Sequence, residues 1–261
     1  MTLLQAAVLG IVQGLTEFLP VSSSGHLILV PALFGWEPHP VAFDAAIHLG
    51  TFFAVVFALR DDVKRILRGL FVPGDAWGGL GWMVVVATLP VLLSGFLIGE
   101  VWKPDLRDPR LIVGTLAFWG VALYLVDRFA PSSEGKAEKA GWSRSLLMGL
   151  AQVLALLPGT SRSGVTITAG RALGLTREAA ARFSFLLSIP AVAAASALSL
   201  VQVGTGAAEV PALPLAMGII ASAVSGALAI RWLIRLMRTA TYAPFALYRL
   251  ALAALAAIVL L

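Results

Sequence analysis

The most polar stretch of the chain, EFLPVSSSGH at residues 17–26, is flanked on both sides by apolar runs. Glu17 supplies a carboxylate and His26 an imidazole, with three hydroxyls at Ser22, Ser23 and Ser24 between them. Serine beside a carboxylate or imidazole suits nucleophilic and general-base chemistry. A structural role is the alternative: serine N-caps, a buried hydrogen bond for Glu17 and a satisfied core histidine.

Other polar residues are spaced so that they could join this group. Gln13 precedes Glu17 by four residues and shares its helix face. A short helix is expected to begin near Gly25, and its N terminus would favour an anion. Asp44 and His48 form a further i, i+4 pair, which we rank as supporting candidates behind the others.

A second polar break, LLPGTSRSG at residues 156–164, also interrupts an apolar run. Arg162 lies there between the hydroxyls of Ser161 and Ser163, just before Gly164. An arginine at membrane depth needs an anion, and its planar fork matches phosphate or carboxylate. The sequence therefore predicts either a phosphate site or a structural pair with Glu17.

Composition places these residues in an integral membrane protein. Of 261 residues, 59% are hydrophobic and 13% charged, whereas soluble domains carry about 25% charge. Cysteine is absent, which excludes disulfides and thiolate chemistry. The net charge of +5 is distributed over short loops, so it is a topology signal and no nucleic-acid partner is expected. No cleavable signal peptide is expected, because residues 1–16 have no basic segment.

The apolar runs predict an all-α polytopic membrane protein, a single domain over residues 1–261. Both polar breaks divide segments best interpreted as re-entrant helical hairpins, since broken backbone at membrane depth must be buried or line a cavity. The hairpins are expected at 2–35 and 144–173. Six full transmembrane helices are expected at 41–59, 82–99, 111–129, 181–201, 213–232 and 244–261.

The two breaks also resemble each other. Placing residues 10–25 on residues 149–164 without gaps aligns Gln13 with Gln152 and Ser22 with Ser161. Each break is followed by three spans, which predicts two repeats, about 1–130 and about 140–261, inverted in the membrane. Lysine and arginine cluster in the loops expected on one side, taken as cytoplasmic. The first hairpin should then enter from the outer face and meet the second.

The motifs VQGLTEFLPVSSSGHLI and LLPGTSRSGVTI closely resemble the two signature segments of the undecaprenyl pyrophosphate phosphatases, the bacitracin-resistance type. The resemblance covers essentially the whole chain. It implies a phosphatase of the bacterial inner membrane that converts undecaprenyl pyrophosphate to the monophosphate, and the distribution of basic residues predicts that its site opens to the outer face. That reaction recycles the lipid carrier for peptidoglycan synthesis and confers bacitracin resistance. Oligomeric state, including a homo-oligomer, is left open.

The resemblance also assigns roles. The family's (E/Q)xxxE motif falls on Gln13 and Glu17, and its divalent cation, Mg²⁺ or Ca²⁺, makes Glu17 a candidate metal ligand. Ser23 is expected to attack phosphorus while Glu17 or His26 takes its proton, with direct attack by water as the alternative. Arg162 is expected to stabilise the phosphoryl charge. Substrate contacts are expected from Gln13, Ser22, Ser24, Gly25, Ser161, Ser163 and Gly164.

A different class of function fits the same pattern. Inverted repeats with broken helices are typical of secondary transporters, so a transporter or flippase for a lipid-linked or small anion is the alternative.

Overall fold

The computed structural model describes residues 1–37, 39–98, 108–131, 135, 137–204 and 210–261. Within these ranges the chain is helical, with short turns and no strand. The first half contains α1 (Leu3–Phe18), α2 (Ser23–Phe34), α3 (Val41–Ala58), α4 (Arg60–Gly69), α5 (Ala76–Phe96) and α6 (Pro109–Phe129). The second half contains α7 (Trp142–Val153), α8 (Arg162–Ala172), α9 (Arg177–Gly204), α10 (Ala212–Leu236) and α11 (Ala243–Leu260).

Among the described residues, the helices α5, α6, α9, α10 and α11 are each long and apolar enough to cross a membrane. The sixth expected span is α3, which passes the same test together with α4, bent from it by 78°. Large apolar side chains cover the outside of the bundle: Phe118 is 64% exposed, Ile220 61% and Ile258 81%. An outward-facing apolar surface of this kind suits lipid, so the expected polytopic helical membrane fold is confirmed.

The helix α4 was not expected from the sequence, which suggested a loop between residues 60 and 81. The apolar run of α3 ends before Arg60, and the charged residues that follow suggested a loop. These charged residues nevertheless form an amphipathic helix. Asp61 and Asp62 lie in its first turn and Arg68 in its last, the arrangement that the helix dipole favours.

Both polar breaks separate helices that are too short to cross the membrane. The first pair, α1 and α2, has 16 and 12 residues, or about 24 and 18 Å at 1.5 Å per residue, against a hydrocarbon core of about 30 Å. In the second pair, α7 and α8 have 12 and 11 residues, with a 3₁₀ turn between them at Leu154–Leu156. Their lengths support the predicted re-entrant hairpins.

The packing of the helices supports the predicted repeat. The helices of the two halves can be matched in order, α1 with α7, α2 with α8, α3 with α9, α5 with α10 and α6 with α11. For most major contacts between two helices, the matched helices of the other half also contact each other. Thus α1 packs on α10 and α7 on α5, while α2 touches α11 and α8 touches α6. The matched pairs α3–α9 and α6–α11 also pack on each other. A pseudo-two-fold axis between the halves would produce this pattern.

The helix that carries Glu17 is held against α10 by glycine. A Cβ atom on Gly14 would lie 2.0 Å from the Ser225 Oγ, and one on Gly10 would lie 2.4 Å from the Gly218 carbonyl oxygen. Only glycine permits backbones to approach this closely, as at the small-residue interfaces of membrane helices. This contact fixes the position of α1, and therefore of the Glu17 backbone.

Candidate active site

The carboxylate of Glu17 lies at the centre of the polar groups contributed by the two hairpins. The Ser23 hydroxyl donates a hydrogen bond to Glu17 Oε2 over 2.8 Å, and Gln13 Nε2 donates to the same oxygen over 3.2 Å. Arg162 Nη2 donates to Glu17 Oε1 over 3.0 Å. The His48 Nε2 atom lies 3.6 Å from Glu17 Oε2. Glu17 is 6% exposed, so the structure brings four other predicted residues together around its buried carboxylate.

The nucleophile candidate and the arginine occupy equivalent positions in the two halves. Ser23 is the first residue of α2 and Arg162 is the first residue of α8. The gapless alignment of the two breaks also places Ser23 on Arg162. A helix N terminus carries N–H groups without intrahelical partners and the positive end of the helix dipole. Two anion-favouring termini therefore converge on one carboxylate.

Each terminus is preceded by a serine in a left-handed backbone conformation. Ser22 has φ 75° and Ser161 has φ 70°, and no other non-glycine residue in the described ranges has positive φ. The hydroxyl of Ser22 accepts from the Gly25 N–H, and that of Ser161 from the Gly164 N–H. These two serines are N-caps, so the structural alternative holds for them. Non-glycine residues in this conformation are strained, and such strain concentrates at functional sites.

The remaining serines join one hairpin tip to the other. Ser24 Oγ accepts a hydrogen bond from the Gly159 N–H over 3.2 Å, and Ser163 Oγ donates to the Leu19 carbonyl over 3.1 Å. Ser24 and Ser163 are aligned residues of the two breaks, so the contact is reciprocal. Of the hydroxyls in residues 22–24, that of Ser23 alone is bonded to Glu17 in the structure.

Arg162 has both a carboxylate partner and an uncommitted donor. Besides its bond to Glu17, Nη1 donates to the Ser184 carbonyl over 2.9 Å, and the guanidinium lies 6.0 Å from the centre of the Phe18 ring. Its Nε atom is buried without a hydrogen-bond partner. The predicted structural pair with Glu17 is therefore present, and Nε is a guanidinium nitrogen without a hydrogen-bond partner in the structure.

His26 is engaged away from the Ser23 hydroxyl. Its Nδ1 lies 2.7 Å from the Ser22 carbonyl oxygen and its Nε2 lies 2.7 Å from the Tyr248 hydroxyl. Since both ring nitrogens have partners, the geometry favours Glu17 over His26 as the base for Ser23. Tyr248 was not identified from the sequence, because an exposed tyrosine in an apolar span resembles a lipid-facing residue.

The predicted pairing of Asp44 with His48 takes a different form in the structure. The Nδ1 atom of His48 bonds the backbone carbonyl of Asp44 over 2.6 Å, while the Asp44 carboxylate bonds His39 Nε2, also over 2.6 Å. The i, i+4 spacing correctly indicated proximity, but backbone hydrogen bonding to the side chain at i+4 competes with a side-chain pair. His48 is thereby oriented with Nε2 towards Glu17.

A cavity of about 540 Å³ opens beside Ser23. Its polar end is formed by Ser23, Ser24, His39, Asp44 and His48. Its wall is mainly apolar and is contributed largely by α2, through Leu27, Ile28, Pro31 and Ala32, with Trp36, Ala45 and Pro158 completing the lining. A polar end joined to an apolar wall fits a molecule with an anionic head and a hydrocarbon tail.

Arg249 is a site residue that sequence analysis missed. It is fully buried in α11 and donates to the Gly159 and Thr160 carbonyls of the second tip over 2.9 and 3.0 Å. A longer bond of 3.5 Å reaches the Pro20 carbonyl of the first tip. The available signal was a lone arginine within an apolar span, which marks a functional or structural site by default.

The residues around Glu17 can contribute oxygen ligands to a divalent cation, although few of them. Gln13 Oε1 is buried without a hydrogen-bond partner, while Nε2 of the same amide faces the Glu17 carboxylate, so the amide would have to turn over for both oxygens to meet one cation. Both are oxygen donors of the kind that Mg²⁺ and Ca²⁺ prefer. Among the described residues there is no group of three histidine, aspartate or glutamate side chains able to hold a metal. A cation would therefore take most of its ligands from substrate and water.

Comparison with known proteins agrees with this geometry. Residues 6–255 match the family model of bacitracin resistance protein BacA. The chain is 44% identical to undecaprenyl-diphosphatase 2 of Stutzerimonas stutzeri (strain A1501) over 264 residues, covering 97% of each chain. It is 42% identical to the undecaprenyl-diphosphatase of Marinobacter nauticus over 258 residues, again covering 97% of each. The protein belongs to the bacitracin resistance protein BacA family.

Proposed function

We propose that this protein hydrolyses undecaprenyl diphosphate to undecaprenyl phosphate and inorganic phosphate. The observation that carries the proposal is the hydrogen bond from Ser23 to Glu17, made where two helix N termini and Arg162 converge beside an apolar-walled cavity. Full-length similarity to proteins named undecaprenyl-diphosphatase specifies the substrate. The product is the lipid carrier used in peptidoglycan synthesis, and its recovery accounts for bacitracin resistance.

In the proposed first step, Ser23 Oγ attacks the terminal phosphorus of the diphosphate. Glu17 Oε2, 2.8 Å from that hydroxyl, takes the proton as the new O–P bond forms. The bond from the terminal phosphorus to the bridging oxygen breaks, and undecaprenyl phosphate leaves with the bonding electrons. Ser23 then carries a phosphoryl group.

In the second step Glu17, which has by then released the first proton to solvent, accepts a proton from a water that attacks the phosphoserine. It passes that proton to Ser23 Oγ as the bond between this oxygen and phosphorus breaks and inorganic phosphate leaves. The alternative is direct attack on the diphosphate by a water that Glu17 activates, without a phosphoserine. Acid quenching during turnover with a substrate labelled in the terminal phosphate separates these routes, because only the first leaves label on Ser23.

Charge stabilisation is assigned to Arg162 and to the N termini of α2 and α8. Fixed donors aimed at the developing charge require no reorganisation during reaction. Arg162 reaches the same carboxylate as Ser23, so its guanidinium lies beside the reacting oxygen. Without substrate, the Glu17 carboxylate neutralises the Arg162 guanidinium. When substrate binds, its phosphoryl oxygens would also interact with this guanidinium.

We also propose a divalent cation, Mg²⁺ or Ca²⁺, held on the protein side by Glu17 and the Gln13 amide oxygen. When bound, it supplies positive charge to the diphosphate. A glutamine in place of a second carboxylate gives this site one negative charge fewer, so the cation is expected to bind together with the diphosphate.

We place the protein in the bacterial inner membrane with Ser23 accessible from the outer face. The distribution of basic residues supports this orientation. Arg231 and Arg235 lie on the last turns of α10 and Arg238 follows just after its end, and no lysine or arginine precedes Arg60. The end of α10 is therefore assigned to the cytoplasm.

Phosphate release by the purified protein tests the proposal. The protein in detergent would be given undecaprenyl diphosphate with Mg²⁺, with Ca²⁺ and with a chelator. We expect stoichiometric phosphate and monophosphate, with release lost on chelation and restored by adding the cation. Absence of release under every cation would contradict the phosphatase assignment and favour a transporter of anionic lipid.

A further inference from the structure

The side chain of His26 links Tyr248 of the last helix to the backbone immediately before Ser23. A carbonyl oxygen can only accept, so the Nδ1 atom that lies 2.7 Å from the Ser22 oxygen carries a hydrogen. In the neutral ring Nε2 is then an acceptor, and the Tyr248 hydroxyl donates to it over 2.7 Å. The two rings are also parallel, with centroids 5.6 Å apart. The Ser22 carbonyl thereby fixes the tautomer of His26, and Tyr248 holds the orientation of its ring.

The equivalent turn of the second repeat shows what His26 adds. Ser22 and Ser161 have nearly the same φ, and position 26 aligns with Val165. The Val165 N–H bonds the Ser161 carbonyl over a normal 2.9 Å. The corresponding bond from the His26 N–H to the Ser22 carbonyl is stretched to 3.4 Å. At this turn the imidazole makes the short bond in place of the backbone.

That short bond acts directly on the nucleophile. The Ser22 carbonyl and the Ser23 nitrogen belong to one planar peptide group. Holding the carbonyl oxygen therefore fixes the plane from which the Ser23 side chain projects towards Glu17. In the second repeat Arg162 replaces Ser23, and its long side chain can reach its partners without this precision.

Granted the phosphatase function proposed above, we propose that Tyr248 is a positioning residue for Ser23, acting through His26. The hydroxyl of Tyr248 holds the imidazole, the imidazole holds the Ser22–Ser23 peptide, and the peptide aims the hydroxyl at Glu17. The neighbouring Arg249 anchors α11 to both tips through their carbonyls, so the Tyr248 hydroxyl is presented from a fixed support.

The primary test compares Tyr248→Phe with Tyr124→Phe. The first removes only the hydroxyl and keeps the ring, and the second removes the hydroxyl of a similarly exposed tyrosine on α6. We expect Tyr248→Phe to lower kcat about tenfold, the scale of one lost hydrogen bond, with KM and melting temperature unchanged. Tyr124→Phe should keep the wild-type kcat.

Variants of His26 separate positioning from proton transfer. An asparagine amide can donate from nearly the place of Nδ1, so His26→Asn should retain at least about tenfold more activity than His26→Ala. If His26 were the base, both variants would be equally inactive. In the His26→Asn background the link to Tyr248 is already broken, so adding Tyr248→Phe should have no further effect.

Two results would overturn the proposal: a wild-type kcat for Tyr248→Phe, or an effect of Tyr248→Phe that persists undiminished in the His26→Asn background. Should Tyr248→Phe fail to fold, the comparison of His26→Asn with His26→Ala decides alone. The wild-type protein serves as the reference throughout. If it releases no phosphate, the proposed function fails, whereas an active wild type with an equally active Tyr248→Phe contradicts only the positioning role.

Discussion

At the scale of single residues, the site depends on how the Glu17 carboxylate divides its two oxygens. Oε2 receives the Ser23 hydroxyl and Oε1 receives Arg162. Oε2 is thus placed to act as a base towards Ser23. Oε1 holds the Arg162 guanidinium, which would meet the phosphoryl group. The two residues it joins come from equivalent positions of the two halves, so neither hairpin alone contains the site.

Ser23→Ala should lose nearly all phosphate release while the protein remains folded, because the hydroxyl removed bonds only to Glu17 among the contacts described. Ser22→Ala should lose less activity and mainly destabilise the protein, by about 1 kcal/mol for the lost N-cap. Ser24→Ala, which loses its bond to Gly159, serves as a second comparison. Near wild-type release by Ser23→Ala would rule out covalent catalysis by that residue.

Arg162→Lys should keep the positive charge but remove the planar guanidinium that can bind two oxygens at once. The rate of phosphate release should fall tens-fold or more, which corresponds to roughly 2–4 kcal/mol of transition-state stabilisation. Arg162→Ala should lose more, and the Arg162→Ala/Glu17→Gln double variant should not recover activity. Stability behaves differently, because removing one partner of a buried pair leaves an uncompensated charge, and neutralising both should restore the melting temperature. Recovery of both melting temperature and phosphate release in the double variant would make the pair purely structural.

At the scale of helices, four ends are joined at Asp127, near the C terminus of α6. Its Oδ1 accepts from Arg171 of α8 over 3.1 Å and from Arg177 of α9 over 2.7 Å, and its Oδ2 accepts from the Tyr242 N–H at the start of α11 over 2.9 Å. Burial, and next the Asp127 charge, raise the pKa of Tyr242. Its hydroxyl therefore stays protonated and donates to the Arg177 carbonyl.

Asp127→Ala should lower the melting temperature strongly, because Arg171 is 2% exposed and loses its carboxylate. The expected cost is about 3–5 kcal/mol of unfolding free energy. Asp61→Ala, at an exposed aspartate of α4, is the matched control and should change stability by less than about 0.5 kcal/mol. Equal melting temperatures for the two variants would show that Asp127 does not anchor these helix ends.

At the scale of the whole molecule, the orientation in the membrane determines which compartment supplies the substrate. Because the chain contains no cysteine, single cysteines can be placed at will. Glu37→Cys, in the segment between α2 and α3, should react with an impermeant thiol reagent in intact cells. Val72→Cys, 55% exposed between α4 and α5, should react only after the membrane is opened. The reverse labelling pattern would place Ser23 on the cytoplasmic side.

Several features followed from residue order alone. The apolar runs predicted the six spans, since roughly 20 apolar residues are needed to cross the hydrocarbon core. The paired breaks at residues 17–26 and 156–164 correctly indicated short helices at both positions. Motif similarity identified the family, which the comparisons confirm.

The tertiary structure decided which residues within those motifs touch. Both Glu17 and His26 were candidate bases from their spacing, but folding brings Ser23 to Glu17 and turns His26 towards Tyr248, 222 positions away in the sequence. Arg249 likewise acquires its role from carbonyls contributed by two hairpins. Local sequence patterns determine helix faces and helix ends, whereas contacts between distant segments depend on packing, and in this protein packing assembles the site from both halves of the chain.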